Sequence, residues 1–241
     1  PTYIAPFGFV LLRVLSAVPL LWLLARSQTK EIVDKKDLLK LAMLGLFGVA
    51  TNQLLFLKGL NATTPINAAI LMVSTPILVL LLSAIFLQEK LRPGKILGII
   101  LGLVGASVLL FVMQNESKLI GASIIEYLSA FFTSLSFGSE TLQGDLMVFL
   151  NALSWGTFLV LAKPIMSKYH YLTVLKWVFS FGLLYILPFG FEELASARWS
   201  TFSAKIWFFV SFVVIFTTVI GYLLNIYGLR TLKSTTVSAY I

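Results

Sequence analysis

Long apolar segments alternate with short charged loops along most of the chain. Residues 64–87 include no charged side chain, and residues 96–113 are also uncharged throughout. An apolar helix of about 20 residues is long enough to cross the hydrocarbon core of a bilayer. The pattern therefore predicts membrane-spanning helices, which we place at residues 6–25, 38–57, 64–87, 96–113, 146–161, 171–189 and 206–227, with a partial helix from residue 234 onward.

The segment at residues 120–137 is apolar enough to suggest a further span. Its centre holds Glu126, and several serines and threonines surround it. A carboxylate in the middle of a span is costly, which favours an interfacial or extramembrane helix over a further crossing. We therefore predict that residues 114–144 form a connecting segment outside the hydrocarbon core.

The loop cations are distributed unequally between the two sides that this layout defines. Twelve lysines and arginines fall on one side and four on the other, while Arg13 and Lys176 lie inside spans. Positively charged loops mark the cytoplasmic face, so the turn that holds Glu89 and Lys90 is predicted to face the cytoplasm. A crossing at residues 120–137 would reverse the second half of the chain and remove this asymmetry.

Composition supports the same class of protein. The chain is 59% hydrophobic and 12% charged, whereas soluble domains are about 45–50% apolar and about 25% charged. The predicted fold class is therefore an all-α membrane protein, a polytopic helical bundle. The net charge of +8 lies in loops between apolar spans, so it does not indicate nucleic-acid binding. The chain has no cysteine and one histidine, His170, and we predict neither a metal site nor a cofactor.

A weak internal repeat relates the two halves of the chain. The segment that begins at Gly59-Leu60 corresponds to the one that begins at Gly228-Leu229, at an offset of 169 residues without gaps. The first segment lies at a cation-poor turn and the second at a cation-rich turn, so the two repeats have opposite orientations. Inverted repeats are typical of transporters, with the binding site between the halves near the midplane. We predict a first repeat at residues 1–113, the connecting segment at residues 114–144 and a second repeat at residues 145–241.

The order of motifs in the first half also carries a family resemblance. After the turn at residues 59–65 come Ala68-Ala69-Ile70-Leu71, Thr75-Pro76, Glu89-Lys90-Leu91 and a Gly-rich helix that ends in Gly105-Ala106. This order resembles the end of a repeat in EamA-type transporters, members of the drug/metabolite transporter superfamily. The resemblance implies a ten-helix layout, of which about eight helices are expected here, with the chain truncated at both ends.

The resemblance also implies a function and a location. EamA-type proteins move small metabolites, amino acids or drug-like compounds, often outward, and a bacterial plasma (inner) membrane is the expected location. The expected partners are a small-molecule solute and the lipid bilayer. The leading hypothesis is therefore a solute transporter that works by alternating access through a central polar cavity.

Arg13 is the candidate site residue with the clearest physical reason. A guanidinium within the hydrocarbon region is expensive and usually faces a cavity or a partner. Arg13 could contact an anion or carboxylate in the pathway, or it could form an internal structural pair. Further polar and aromatic side chains could line the cavity, although hydrogen bonds between helices explain them equally well; these are Asn52, Gln53, Asn151, Trp155, Tyr222 and Asn225.

Other residues are candidates for motion and packing. Pro76 removes a backbone hydrogen bond within a span and could form a hinge or simply a kink, with Ser74 or Thr75 satisfying the freed carbonyl. Glu89 is a candidate gate or structural ion pair at the membrane edge. Small residues recur every four positions on one helix face, which predicts close approach of another helix or a homodimer; these are Gly94, Gly98 and Gly102.

Two other classes of function have less support in the sequence. A membrane-embedded enzyme needs paired carboxylates, a histidine cluster or a metal set, and none of the ten carboxylates falls inside a predicted span. Proton coupling through a buried carboxylate lacks support for the same reason. A non-transporting scaffold would leave Arg13 and the nearby amide side chains without a role. We therefore predict that the protein is not an enzyme.

Overall fold

The computed structural model describes residues 3–26, 31–90, 93–94, 96–102, 104–105, 125–126 and 140–239. Within these residues the regular structure is helical and includes no strand. Among the described residues, six helices are long and apolar enough to cross a membrane. The predicted polytopic all-α membrane fold is confirmed. Most of the predicted connecting segment, 114–144, and the end of the predicted span at 96–113 lie outside the described residues.

The helices follow the predicted order. They are α1 (Pro6–Arg26), α2 (Lys35–Asn61), α3 (Pro65–Phe86), α4 (Leu142–Met166), α5 (Tyr171–Ala195), α6 (Ala204–Thr231) and the short α7 (Ser234–Ser238). The described residues between 93 and 105 are helical as well. α2, α4, α5 and α6 extend several residues beyond their predicted spans, because polar residues at their ends continue the helix, whereas α3 ends within its predicted span.

The two repeats lie in opposite orientations around α4. The turn between α2 and α3 contacts the beginning of α4, where Thr63 donates a hydrogen bond to Asp145. The turn between α6 and α7 lies at the other end of α4, where Lys163 donates to the carbonyl of Leu232. These turns correspond to each other in the repeat found by sequence, so the inverted arrangement is confirmed. The domain boundaries themselves stay a prediction.

The corresponding helices of the two repeats share an irregularity. A π-helical segment occupies Leu46–Thr51 in α2, and another occupies Val213–Ile220 in α6. An offset of 169 residues carries the end of the first segment onto the end of the second. π-Helical segments are rare and frequently lie at functional sites. The two segments end immediately before Asn52 and Gly221, and both of these residues border the cavity described below.

Close antiparallel packing of α1 against α5 joins the repeats. The backbone N–H of Gly8 donates to a carboxylate oxygen of Glu193 at 2.8 Å. A Cβ atom added at Gly190 would lie 2.6 Å from the carbonyl oxygen of Phe7. Small residues on both helices are therefore required for this approach.

Two acidic side chains, one before α2 and one in its first turn, contact the loop between α4 and α5. Glu31 accepts a hydrogen bond from the His170 N–H at 3.0 Å, and Asp37 accepts from Lys168 Nζ and from Tyr169 Oη, each at 3.1 Å. These contacts bring two of the predicted cation-rich loops to the same end of the bundle. The hydrogen bond and negative charge of Asp37 raise the pKa of Lys168. A lysine whose pKa is raised in the folded state stabilises the fold at pH values below its ordinary pKa of 10.5. The stabilising contribution of Lys168 is therefore lost only when the pH rises above that value.

Reversing the charge of Asp37 should destabilise the bundle, and a matching reversal at Lys168 should restore part of the loss. Asp37→Lys places a third cation beside Lys40 and Lys168, whereas the double variant Asp37→Lys with Lys168→Asp restores an opposite-charge pair between positions 37 and 168. We expect the single variants to lower the Tm in detergent and the double variant to melt nearer the wild type. Lys36→Asp is the control, because Lys36 is exposed and adjacent. A double variant whose Tm loss equals the sum of the single losses would contradict the pairing.

The prediction that no carboxylate lies inside a spanning helix is wrong. Asp145 precedes the predicted apolar run but lies inside α4, where it is 5% exposed. Its carboxylate accepts hydrogen bonds from Thr63 and, at 3.2 Å, from Asn67. Glu192 and Glu193, which were predicted to lie in a loop, belong to the last turns of α5. Apolar runs mark only the part of a helix in hydrocarbon, so the sequence underestimated both helices.

Candidate functional site

A cavity of about 710 Å³ lies between the helices of the two repeats. Its wall is formed by α1, α2, α3, α4, α6 and α7 together with the helical residues near 98. All seven residues predicted to contact the solute border it, namely Arg13, Asn52, Gln53, Asn151, Trp155, Tyr222 and Asn225. The structure therefore brings together polar residues that lie up to 212 positions apart in the sequence.

Arg13 is the cation of the cavity wall. Its Nε and Nη2 atoms donate hydrogen bonds to the Thr218 hydroxyl at 3.1 and 3.0 Å. The Phe9 ring lies 5.9 Å from the guanidinium carbon, which is within range of a cation–π contact. Among the described residues that border the cavity there is no carboxylate. The Arg13 guanidinium thus has a neutral polar partner, Thr218, from the other repeat. No carboxylate among the described residues of the cavity wall neutralises its charge.

Tyr222 and Gln53 meet at the boundary between the repeats. These residues are 169 positions apart, which is the offset of the internal repeat, and Gln53 Nε2 donates to Tyr222 Oη at 3.4 Å. Tyr222 Oη in turn donates at 2.7 Å to the carbonyl of Gly48, inside the π-helical segment of α2. Trp155 packs edge-on against Tyr222 with ring centroids 5.2 Å apart. The cavity wall therefore combines aromatic faces with a buried polar contact.

Two buried polar atoms of this wall have no hydrogen-bond partner in the described part of the chain. They are the carbonyl oxygen Oε1 of Gln53 and the indole nitrogen Nε1 of Trp155. A buried polar group without a partner costs about 1–3 kcal/mol. One atom is an acceptor and the other a donor, so a bound solute or water molecule that offers both types of group would satisfy them.

The asparagines partly support the alternative of hydrogen bonds between helices. Asn151 Nδ2 donates to the backbone carbonyl of Asn52 at 2.7 Å and so joins α4 to α2. Asn225 Nδ2 donates to Gly221 within its own helix at 2.9 Å. The amide of Asn151 therefore joins two helices of the cavity wall, whereas that of Asn225 bonds within its own helix, and the sequence could not separate these roles from solute contact.

Pro76 borders the cavity immediately after the break between the two halves of α3 at Ser74. The carbonyl that a proline leaves without a donor is the one four residues earlier, here that of Met72. Thr75 Oγ1 donates to this carbonyl at 2.5 Å, as the sequence suggested. Whether Pro76 acts as a hinge stays a prediction.

Glu89 lies away from this cavity, in a second pocket of about 680 Å³ at the cation-rich end, which it shares with Lys163 and Arg230. Its role as a gate stays a prediction.

The regularly spaced glycines border the cavity. A Cβ atom added at Gly94, Gly98 or Gly102 would meet no atom within 4 Å among the residues that the structure describes. Close helix approach in the described part instead occurs at other glycines, such as Gly48 and Gly144. The predicted packing of the Gly94, Gly98 and Gly102 face, and the homodimer that it would allow, stay predictions.

Sequence reasoning missed two features of the site. Thr218 was not singled out from the sequence, because threonine in a membrane helix commonly bonds to its own backbone. The π-helical segments carry no clear sequence signal. Across the described residues, no group of three or more histidine, aspartate or glutamate side chains is placed to hold a metal ion.

Comparisons with known proteins agree with this architecture. The family model described as the EamA-like transporter family matches residues 1–111 and 142–241. The uncharacterized transporter YyaM of Bacillus subtilis is 24% identical over 225 residues, which cover 93% of this chain and 68% of YyaM. An uncharacterized transporter of Archaeoglobus fulgidus is 26% identical over 239 residues, covering 98% of this chain and 74% of that protein.

A solved crystal structure shares the fold. It has a TM-score of 0.71 and 17% sequence identity, and the match covers 98% of this chain and 75% of that one. At this level of identity the likeness concerns the fold alone. The family match, in contrast, extends over both repeats. The chain is therefore a member of the EamA-like transporter family.

Proposed function

We propose that this membrane transporter carries small amphipathic solutes with an anionic group, such as amino acids and related metabolites, by alternating access. The binding site is the cavity between the repeats, and export is the expected direction. The observation that carries this proposal is a single guanidinium, that of Arg13, on a cavity wall without a carboxylate among its described residues. In a low-dielectric site an uncompensated cation favours an anionic ligand.

The remaining wall indicates what else the solute carries. The cavity of about 710 Å³ falls within the usual range for small-molecule sites. The ring faces of Trp155 and Tyr222 favour an apolar body. The Gln53 oxygen and the Trp155 nitrogen, which lack partners in the described structure, favour a hydrogen-bond donor and an acceptor on the solute. A carboxylate with an adjacent N–H and an apolar side chain meets all of these requirements.

The inverted repeats support alternating access. Their corresponding turns lie at opposite ends of α4, so rocking one repeat against the other would open the cavity alternately to each side. We propose a bacterial plasma membrane as the location of this multi-pass protein. We also favour a carrier over a membrane-embedded enzyme, because the relatives are named transporters and the described cavity wall lacks paired carboxylates.

Solute counterflow in proteoliposomes tests this proposal directly. Liposomes that contain the full chain are loaded with an unlabelled amino acid, and uptake of the labelled form is followed, using a panel that varies side chain and charge. We expect counterflow for solutes with a carboxylate and weaker counterflow for the corresponding amides, which lack the anionic group. No counterflow with any carboxylate solute, in vesicles that contain folded protein, would overturn the proposed substrate class.

Filling the cavity should stop transport without disturbing the fold. Gly98→Trp adds a large side chain at the edge of the cavity, where a Cβ atom meets no atom of the described residues within 4 Å. We expect counterflow to fall by at least roughly tenfold with little change in Tm. Leu97→Trp is the matched control, since Leu97 is the adjacent residue, is 60% exposed and does not border the cavity. Equal transport by the two variants would argue that the solute passes elsewhere.

A further inference from the structure

The contact between Arg13 and Thr218 has a specific geometry. Thr218 Oγ1 accepts hydrogen bonds from Nε and from Nη2 of Arg13, at 3.1 and 3.0 Å. These two nitrogens form one edge of the planar guanidinium, which carries five N–H groups in total. The edge formed by the two terminal nitrogens still has N–H groups to offer, and it matches the two oxygens of a carboxylate.

The π-helical segment of α6 makes Thr218 an acceptor. Thr218 is fully buried, and its hydroxyl proton is donated at 3.1 Å to the carbonyl of Val213, five residues earlier. A hydroxyl has one proton and two lone pairs, so both lone pairs of Oγ1 are available to Arg13. In a regular α-helix the threonine hydroxyl would bond to a carbonyl three or four residues earlier. In the π-helical segment of α6 the hydroxyl bonds to a carbonyl five residues earlier, and in this position Thr218 Oγ1 faces the guanidinium of Arg13.

The partner is neutral, and this determines the charge of the site. A carboxylate in place of Thr218 would hold Arg13 equally well but would cancel its charge. A hydroxyl holds the side chain in one orientation and leaves the positive charge for a ligand. Since Thr218 lies in the second repeat and Arg13 in the first, each repeat contributes one half of this arrangement.

We propose that Thr218 is the positioning residue that makes the cavity selective for anions: it fixes one edge of Arg13 without neutralising it and so presents the other edge to the solute. This inference rests on the proposed function, because it assigns to the same cavity the residue that controls its preference for charge. Thr218 acts through Arg13 and need not touch the solute.

A pair of probes that differ only in charge isolates this role. N-acetyl-L-leucine is an anion at neutral pH, and N-acetyl-L-leucine amide is its neutral counterpart of nearly the same shape. The dissociation constant of each is measured by equilibrium dialysis on the purified full chain in detergent. The ratio of the two constants is the anion preference, and a loss of folded protein lowers the number of sites for both probes without changing this ratio.

Three substitutions at Thr218 give different expected results. Thr218→Val keeps the shape but removes both lone pairs, and should weaken binding of the anionic probe by roughly tenfold with no change for the amide. Thr218→Ser keeps the hydroxyl and should retain the wild-type preference. Thr218→Asp keeps a partner for Arg13, which protects the fold, but should abolish the preference because it neutralises the guanidinium.

Thr231→Val is the matched control. Thr231 ends the same helix, its hydroxyl bonds only to Gly228 among the described residues, and it does not border the cavity. We expect wild-type constants for this variant. A wild-type anion preference in both Thr218→Val and Thr218→Asp would overturn the role of Thr218 while leaving the proposed function intact. A wild-type protein that binds both probes alike, or neither, would overturn the proposed substrate class and this inference with it.

Discussion

Arg13→Gln should weaken binding of an anionic solute on the order of 100-fold, because it removes the charge that the cavity directs at the ligand. The glutamine amide can still donate a hydrogen bond to Thr218 and occupies similar space, so the helical bundle should remain folded. The measurement is the dissociation constant of N-acetyl-L-leucine together with counterflow of labelled amino acids. Binding of the neutral amide should change little, since that probe does not depend on the charge.

Two further variants make this test specific. Arg13→Lys keeps a positive charge but loses the planar fork, and it should show an intermediate loss. Lys176→Gln removes the other cation within a predicted span; Lys176 lies over the Trp22 ring at 4.8 Å and does not border the cavity. We expect this control to bind and transport as the wild type does. Equal losses in Arg13→Gln and Lys176→Gln would indicate a general effect of charge and would contradict a specific site at Arg13.

Gly144→Ala should be among the most destabilising single-methyl substitutions in the described part of the chain. A Cβ atom at this position would lie 2.3 Å from the carbonyl carbon and oxygen of Ala62, which are backbone atoms and cannot rotate aside. The clash would separate α4 from the turn between α2 and α3 and disturb the hydrogen bond between Thr63 and Asp145. We expect a loss of about 3 kcal/mol, the upper part of the range for overpacking.

The measurement is the Tm in detergent together with the yield of monodisperse protein, and Gly98→Ala provides the control. A Cβ atom at Gly98 meets no atom within 4 Å in the part of the chain that the structure describes, and alanine favours a helix over glycine by up to about 1 kcal/mol. This control should melt at or slightly above the wild-type temperature. If Gly144→Ala and Gly98→Ala melted alike, the close approach at the α2–α3 turn would not exist in the membrane protein.

Much of the site could be predicted from the sequence for a simple physical reason. Polar side chains inside a membrane span are costly unless they face a cavity or a partner. Arg13, Gln53 and Tyr222 were therefore singled out as polar positions in apolar helices, and the structure brings them to one cavity.

The glycines show that the sequence alone could not identify which helix faces pack closely. The regular spacing of Gly94, Gly98 and Gly102 predicted close packing, yet in the described structure these residues border the cavity. Gly48 and Gly144 belong to no such pattern, yet a Cβ atom at either position would lie 2.3 Å from an atom of α4 or of the turn between α2 and α3, respectively. Spacing shows which residues share a helix face, but it does not show which face meets another helix.

The sequence by itself determined the class of protein, the approximate spans and the opposite orientation of the repeats. Bilayer thickness sets the length of an apolar helix, and loop charge sets its direction, so both can be read one segment at a time. The tertiary structure alone decided that Asp145 is buried, that α2 and α6 contain π-helical segments, and that Thr218 holds Arg13. Each of these features depends on contacts between residues that are distant in the sequence. Such contacts leave no local pattern in the chain.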